Sequence, residues 1–144
     1  MTKDQRRTSG FTLIELLVAV AIFAVLTAIA IVSYTSANRR ARDGRRRADL
    51  EQVRTALEIR RSDFSAYPVG SNFATMANNF LVTGGYLSTV PTDPRAGYSY
   101  YYNSVAPGTT YYLCAYLEAG STTNCPAVVL CSATQNCNYG VRSP

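Results

Sequence analysis

The chain has 144 residues, a formal net charge of +5 and no histidine. That length allows one small folded domain beside the apolar segment near the amino terminus. With no histidine, no nucleophile elbow and too few acids in the C-terminal region for an acid pair, the sequence offers no catalytic constellation and argues against an enzyme. The positive charge lies mostly in one stretch, Arg39 to Arg61. From Ser62 onward Asp63, Asp93 and Glu118 nearly balance Arg95 and Arg142. A near-neutral region rich in Tyr, Ser, Thr and Asn reads as an exposed protein surface and not as a nucleic-acid-binding domain.

Residues 1–10 are polar and carry Lys3, Arg6 and Arg7 against Asp4. From Phe11 to Val32 the chain has one formal charge, Glu15, and neither Pro nor Gly. This run reaches membrane-spanning length, whereas a secretory signal has a shorter apolar core followed by a small-residue cleavage site. Here the run passes directly into Ser33-Tyr34-Thr35-Ser36-Ala37-Asn38-Arg39-Arg40. A carboxylate inside such a segment costs about 2.5–3.5 kcal/mol unless it meets a partner, so Glu15 stands out as the first functional candidate.

One long helix is expected from Phe11 to about Asp63, apolar all round in its first half. In its second half Leu50, Val53, Leu57 and Phe64 form an apolar stripe. Asp43 with Arg47, Arg45 with Asp49, Arg47 with Glu51 and Arg54 with Glu58 stand four apart and are expected to pair, for about 0.2–0.5 kcal/mol each. Gly44 is the soft spot, costing about 1 kcal/mol relative to Ala. At about 1.5 Å per residue such a helix is about 80 Å long, too long for a compact globule of this size, so it is expected to protrude and to meet lipid or other copies. The arginine stretch reads first as a solvated, ion-paired face; anionic headgroups or DNA are the alternative partners.

Tyr67-Pro68 ends the helical pattern. Phe73, Met76, Phe80 and Leu81 suggest a short helix before Gly84-Gly85, and Pro91-Thr92-Asp93-Pro94 is turn material. Strands are expected over Gly97–Ser104, Thr110–Glu118 and Ala127–Leu130, the first two rich in Tyr as suits a half-buried sheet face. The remainder reads as a cysteine-bounded tail.

Cys114, Cys125, Cys131 and Cys137 form an even set in a small domain, which points to two disulfides and an oxidising compartment. Their spacing is wider than the roughly two to four residues usual within a zinc-ligand pair, so a metal site is disfavoured. Three pairings remain open. The preferred one closes the short Cys131–Cys137 loop and leaves Cys114 with Cys125. By arginine count the positive-inside rule places the C-terminal side in the cytoplasm; the cysteines place it on the opposite side, and that orientation is adopted.

Gly10-Phe11-Thr12-Leu13-Ile14-Glu15, behind a short basic leader and before an apolar helix, resembles the prepilin motif of type IV pilins and type II secretion pseudopilins. Arg45 to Leu57 followed by Tyr67-Pro68, and Val90-Pro91-Thr92-Asp93-Pro94 before a Tyr-rich run, are similar to major pseudopilins. The resemblance implies cleavage between Gly10 and Phe11 by a prepilin peptidase, N-methylation of Phe11, a cytoplasmic leader, and polymerisation in which Glu15 meets the new amine on a neighbour's Phe11. It implies an α+β fold, a long N-terminal helix packed on a small antiparallel sheet. The chain divides accordingly into a leader (1–10), a transmembrane and assembly helix (11–34), the soluble half of that helix (35–63) and a globular head with a disulfide-bearing tail (64–144).

The implied partners are a homo-oligomeric or mixed filament, the prepilin peptidase and methyltransferase, inner-membrane assembly machinery and membrane lipid before assembly. No cofactor or metal is expected. Pseudopilins of the secretion type typically bind calcium through acids near the C-terminus, where this chain has only Glu118. Together with the cysteine-rich tail, that tips the expectation toward a pilus-type subunit, with a secretion pseudopilin or a minor adhesin or DNA-receptor subunit as alternatives.

Overall fold

A computed structural model describes residues 10–120, 125–126 and 129–143. It separates into two units, Met1–Asn38 and Arg39–Pro144. A single helix, α1 (Leu13–Phe64), contributes to both.

In the first unit α1 is the only described element. Its apolar side chains face outward on every side, with Phe23 71% exposed and Val32 equally so. The helix is long and apolar enough to cross a membrane. Two hydroxyls inside it are satisfied locally: Thr27 Oγ1 donates to the Phe23 carbonyl at 2.7 Å and Thr35 Oγ1 to the Val32 carbonyl at 3.0 Å. Back-bonding of this kind lets Thr sit in an apolar helix without an orphaned donor.

In the second unit α1 buries Leu50, Val53, Ala56 and Leu57. Phe64, expected to continue that stripe, is 61% exposed. Helix geometry explains the difference: the last turn is where the chain leaves, and Ser65 takes a left-handed conformation (φ 60°) as its N–H donates to the Arg61 carbonyl at 2.7 Å. The ring of Phe64 lies instead under the Arg60 guanidinium, 4.6 Å away.

A short helix α2 (Phe73–Met76), capped by the Asn72 side chain on the Thr75 N–H, runs into a wider π-type segment over Ala77–Val82. The sheet is three-stranded and antiparallel, in the order β1 (Tyr101–Asn103), β2 (Tyr112–Ala115), β3 (Tyr139–Arg142). Register places Tyr102 opposite Leu113, and Leu113 opposite Val141. These three buried side chains meet Leu50, Val53 and Leu57 of α1 in one core. The fold is therefore the expected α+β arrangement of a long helix and an antiparallel sheet.

Three details differ from the sequence reading. The two Tyr-rich strands are shorter than expected. The third strand comes from the tail at Tyr139–Arg142. Of the expected strand at 127–130, residues 127–128 lie outside the described residues, and Leu130 makes only an isolated bridge to Asn136. A four-residue strand ending near the terminus shows too little alternation to be seen in sequence, and its pairing with the buried β2 is what defines it.

The tyrosines are core as much as surface. Tyr67, Tyr100, Tyr102 and Tyr111 are all buried. Tyr67 meets Tyr111 edge-on, with ring centroids 4.6 Å apart. Each buried hydroxyl has a partner: Tyr102 donates to the Pro68 carbonyl at 2.6 Å, Tyr100 to Asp49 at 2.6 Å, and both Tyr67 and Tyr111 reach Glu58. Burial pushes the Tyr100 and Tyr111 phenols well above their usual range, aided by the adjacent carboxylates, and moves Tyr102 up to about 12.

Candidate functional site

The amino-terminal segment is the first candidate. Gly10 has no atom within 4 Å of where a side chain would start, and Phe11 is 90% exposed. Residues 1–9, which include Lys3, Arg6 and Arg7, lie outside the described residues. Thr12 and Glu15 form a reciprocal cap on α1. The Thr12 N–H and hydroxyl both donate to Glu15 Oε2 at 2.9 Å, and the Glu15 N–H donates to Thr12 Oγ1 at 3.3 Å. This is a capping box, in which a Thr and the Glu three residues on satisfy each other's orphaned backbone donors. The signal, Thr12-Leu13-Ile14-Glu15, is legible in the sequence beside the membrane and intersubunit roles expected of Glu15. Within the subunit its carboxylate also starts the helix.

The second candidate is the arginine stretch, and here the sequence expectation is corrected. Arg46 is not on a solvated face: its side chain has no exposed surface. Its guanidinium is bidentate on Asp93, Nε to Oδ2 and Nη2 to Oδ1, both at 2.8 Å. Nη1 donates to Asp43 Oδ1 at 2.9 Å and to Glu118 Oε1 at 3.0 Å. Three carboxylates from a helix and two loops thus converge on one cation. Arg42 adds a second bidentate pair, with Nε and Nη2 each 2.7 Å from a Glu118 oxygen.

Asp43 does more than balance charge. Its Oδ1 and Oδ2 accept the backbone N–H groups of Glu118 and Ala119, each at 2.9 Å, so the turn after β2 is fastened to α1. The Arg42 hydrogen bonds, supported by Arg46, hold the Glu118 carboxyl down at about 2 even though burial opposes this. The buried Arg46 is held firmly cationic: desolvation opposes its charge, and its bonds to Asp93, Glu118 and Asp43 outweigh that cost.

Most of the expected i,i+4 pairs give way to these tertiary partners. Among the described residues only Arg45–Asp49 is found, at 4.0 Å. Asp43 takes Arg46, Arg47 lies over the Tyr139 ring at 5.6 Å, Arg54 reaches Glu51 at 3.5 Å, and Glu58 serves the tyrosines. A few tenths of a kcal/mol on an exposed helix cannot compete with groups whose burial requires a partner.

The cysteines stand apart from both clusters. Cys114 of β2 is bonded to Cys125, and Cys131 to Cys137, with Cα–Cα separations of 5.9 and 5.0 Å. With Val129 they make a small second core. No group of three or more potential metal-binding side chains occurs among the described residues.

Comparison with known proteins adds the following. Residues 5–31 match the prokaryotic N-terminal methylation motif, a stretch that includes Gly10, Phe11 and Glu15. The chain is similar to type II secretion system core protein G of Pseudomonas aeruginosa, at 33% identity over 116 residues, covering 74% of this chain and 79% of that protein. It is also similar to type II secretion system core protein G of Aeromonas hydrophila, at 26% identity over 100 residues, covering 63% of this chain and 70% of that protein. No solved structure matches the chain.

Proposed function

Because this chain belongs to the type IV pilin and type II secretion pseudopilin family, a non-enzymatic class of structural subunits, we propose that it is a pseudopilin of the secretion type. The observation that carries this reading is the similarity to core protein G, whose length runs well beyond the N-terminal motif and so includes the head. The pilus-type expectation rested on the scarcity of acids near the C-terminus and on the disulfides. Both features are compatible with a secretion subunit whose tail is fastened by Arg42, Arg46 and two disulfides.

In this proposal the leader 1–10 is removed between Gly10 and Phe11, and Phe11 is N-methylated. Residues 11–34 hold the subunit in the inner membrane, with the leader cytoplasmic, and later pack in the filament. Residues 35–63 and the head 64–144 stand on the other side. The exposed apolar surface of α1 supports that reading, since it requires lipid or other helices around it. Glu15 Oε2 is occupied by Thr12, while Oε1 has no hydrogen bond among the described residues and suits an incoming Phe11 amine. A prepilin peptidase with methyltransferase activity and inner-membrane assembly proteins are the partners required.

The test is intact mass and N-terminal sequencing of the chain from membrane and sheared-surface fractions. A processed, methylated species confined to the membrane and periplasm is expected. Abundant sheared fibres starting at methylated Phe11 would overturn the secretion reading in favour of a pilus, and an uncut chain in both fractions would overturn processing itself. Gly10→Val is expected to keep its leader. Glu15→Ala is expected to be inserted and cleaved but to assemble poorly, and filaments at wild-type yield from it would refute the intersubunit role.

A further inference from the structure

The buried cluster around Arg46 leaves an open cleft of about 460 Å³ beside it, lined by Arg39, Arg42, Pro94, Arg95, Ala96 and Glu118. Its one carboxylate is already occupied, since Glu118 is bidentate on Arg42 and bonded to Arg46. Arg95 reaches that carboxylate only at 3.8 Å and is half exposed, with its guanidinium 4.9 Å from the Tyr98 ring centroid. Arg39 is exposed and has no carboxylate partner among the described residues. The cleft therefore presents two guanidinium groups with donor capacity to spare, one on α1 and one on the loop after Pro94. A group with several acceptor oxygens suits that pair better than a single carboxylate does.

Position in the chain narrows the ligand. The helical part of the apolar run, Leu13–Val32, is about 30 Å long at about 1.5 Å per residue, matching the roughly 30 Å hydrocarbon core of a bilayer. Arg39 comes only seven residues after Val32 in the chain, which keeps it within reach of the headgroup layer and its immediate surface. We propose that Arg39 and Arg95 form a binding cleft for the phosphate of an anionic phospholipid headgroup, used while the subunit waits in the membrane. The inference rests on the chain spanning the bilayer and is independent of whether the filament is a pilus or a secretion pseudopilus. It also gives a reason for so many arginines on the side of the span where the charge count disfavours them: anionic headgroups of that leaflet hold them.

The test uses the full chain in a neutral detergent with equal amounts of phosphatidylglycerol and phosphatidylethanolamine of matched acyl chains, read by native mass spectrometry. The wild type is expected to retain phosphatidylglycerol several-fold over phosphatidylethanolamine. The Arg39→Gln/Arg95→Gln variant is expected to retain the two equally. The Arg40→Gln/Arg45→Gln variant removes the same charge from outside the cleft and is expected to keep the preference. No preference in the wild type, or equal loss in both variants, would overturn the cleft. Excess inorganic phosphate is expected to leave the preference intact, and its abolition would reassign the cleft to a soluble anion. Arg39→Gln alone breaks no hydrogen bond or ion pair found among the described residues and keeps the test decisive if the double variant misfolds.

Discussion

Replacing Arg46 with methionine keeps most of the side-chain length and its apolar stem but removes the guanidinium. In the folded head this leaves Asp43, Asp93 and Glu118 facing one another with side chains at most 8% exposed. Four hydrogen bonds disappear, two of them the bidentate pair with Asp93. Removing one member of a buried charge cluster costs about 3–5 kcal/mol; here the cost falls mainly on Asp93, since Glu118 keeps Arg42 and Asp43 keeps the backbone N–H groups of Glu118 and Ala119. For a small domain of typical stability, about 5–15 kcal/mol, that is a large fraction. It lowers the midpoint of thermal unfolding by about 12 °C or more. The assay is near-ultraviolet circular dichroism of the tyrosines, which, Tyr34 apart, all belong to the second unit.

The same experiment has a pH arm. In the wild type Glu118 titrates at about 2 in the fold against an ordinary 4.5, so its contribution is complete above 4.5 and is lost as pH falls toward 2. In Arg46→Met the three carboxylates repel, and protonation relieves them. The gap between variant and wild type is therefore expected to narrow as the pH is lowered through 4.5. Arg46→Lys keeps the charge without the two-pronged geometry and is expected to fall between the two. A methionine variant within about 1 kcal/mol of wild type at pH 7, or a gap that widens on acidification, would refute the reasoning.

Other outcomes follow from the same structure. Gly44 lies inside α1 with open space around its missing side chain, so Gly44→Ala is expected to stabilise the chain by about 0.4–1 kcal/mol, seen as a higher urea midpoint at unchanged slope. Replacing the cysteine pairs by serine is expected to cost about 2–4 kcal/mol per bridge, with Cys114–Cys125 costing about 0.5 kcal/mol more because it closes the longer loop; equal midpoints for wild type and both variants would count against this. The buried phenols Tyr100, Tyr102 and Tyr111 titrate above the ordinary 10, so stability they confer is present below pH 10 and lost as pH rises past it. Absorbance of the phenolates is then expected to lag behind that of exposed tyrosine until the head unfolds, and simple one-step titration near 10 of all tyrosines would contradict their burial.

The family of this chain was legible in its first third, because the signals there are local. An apolar run of bilayer length, one carboxylate and a Gly-Phe junction are local features, and Thr12-Leu13-Ile14-Glu15 specifies its own cap. The apolar stripe at Leu50, Val53 and Leu57 and the two Tyr-rich strands were likewise visible, since periodicity of about 3.6 or 2 is written residue by residue. The fates of the charged residues were not. Arg45, Arg46 and Arg47 are adjacent and identical in type, yet one pairs within the helix, one is wholly buried and one lies over an aromatic ring. Which is which depends on where Asp93, Glu118 and Tyr139 arrive from, 47 or more residues away along the chain, and helical period alone carries no record of that. The third strand depended on the same kind of information, because Tyr139–Arg142 becomes a strand only by lying against β2. Local chemistry thus determined the apolar segment and its N-terminal motif, while long-range burial decided which arginine became the pin of the head and which stayed exposed.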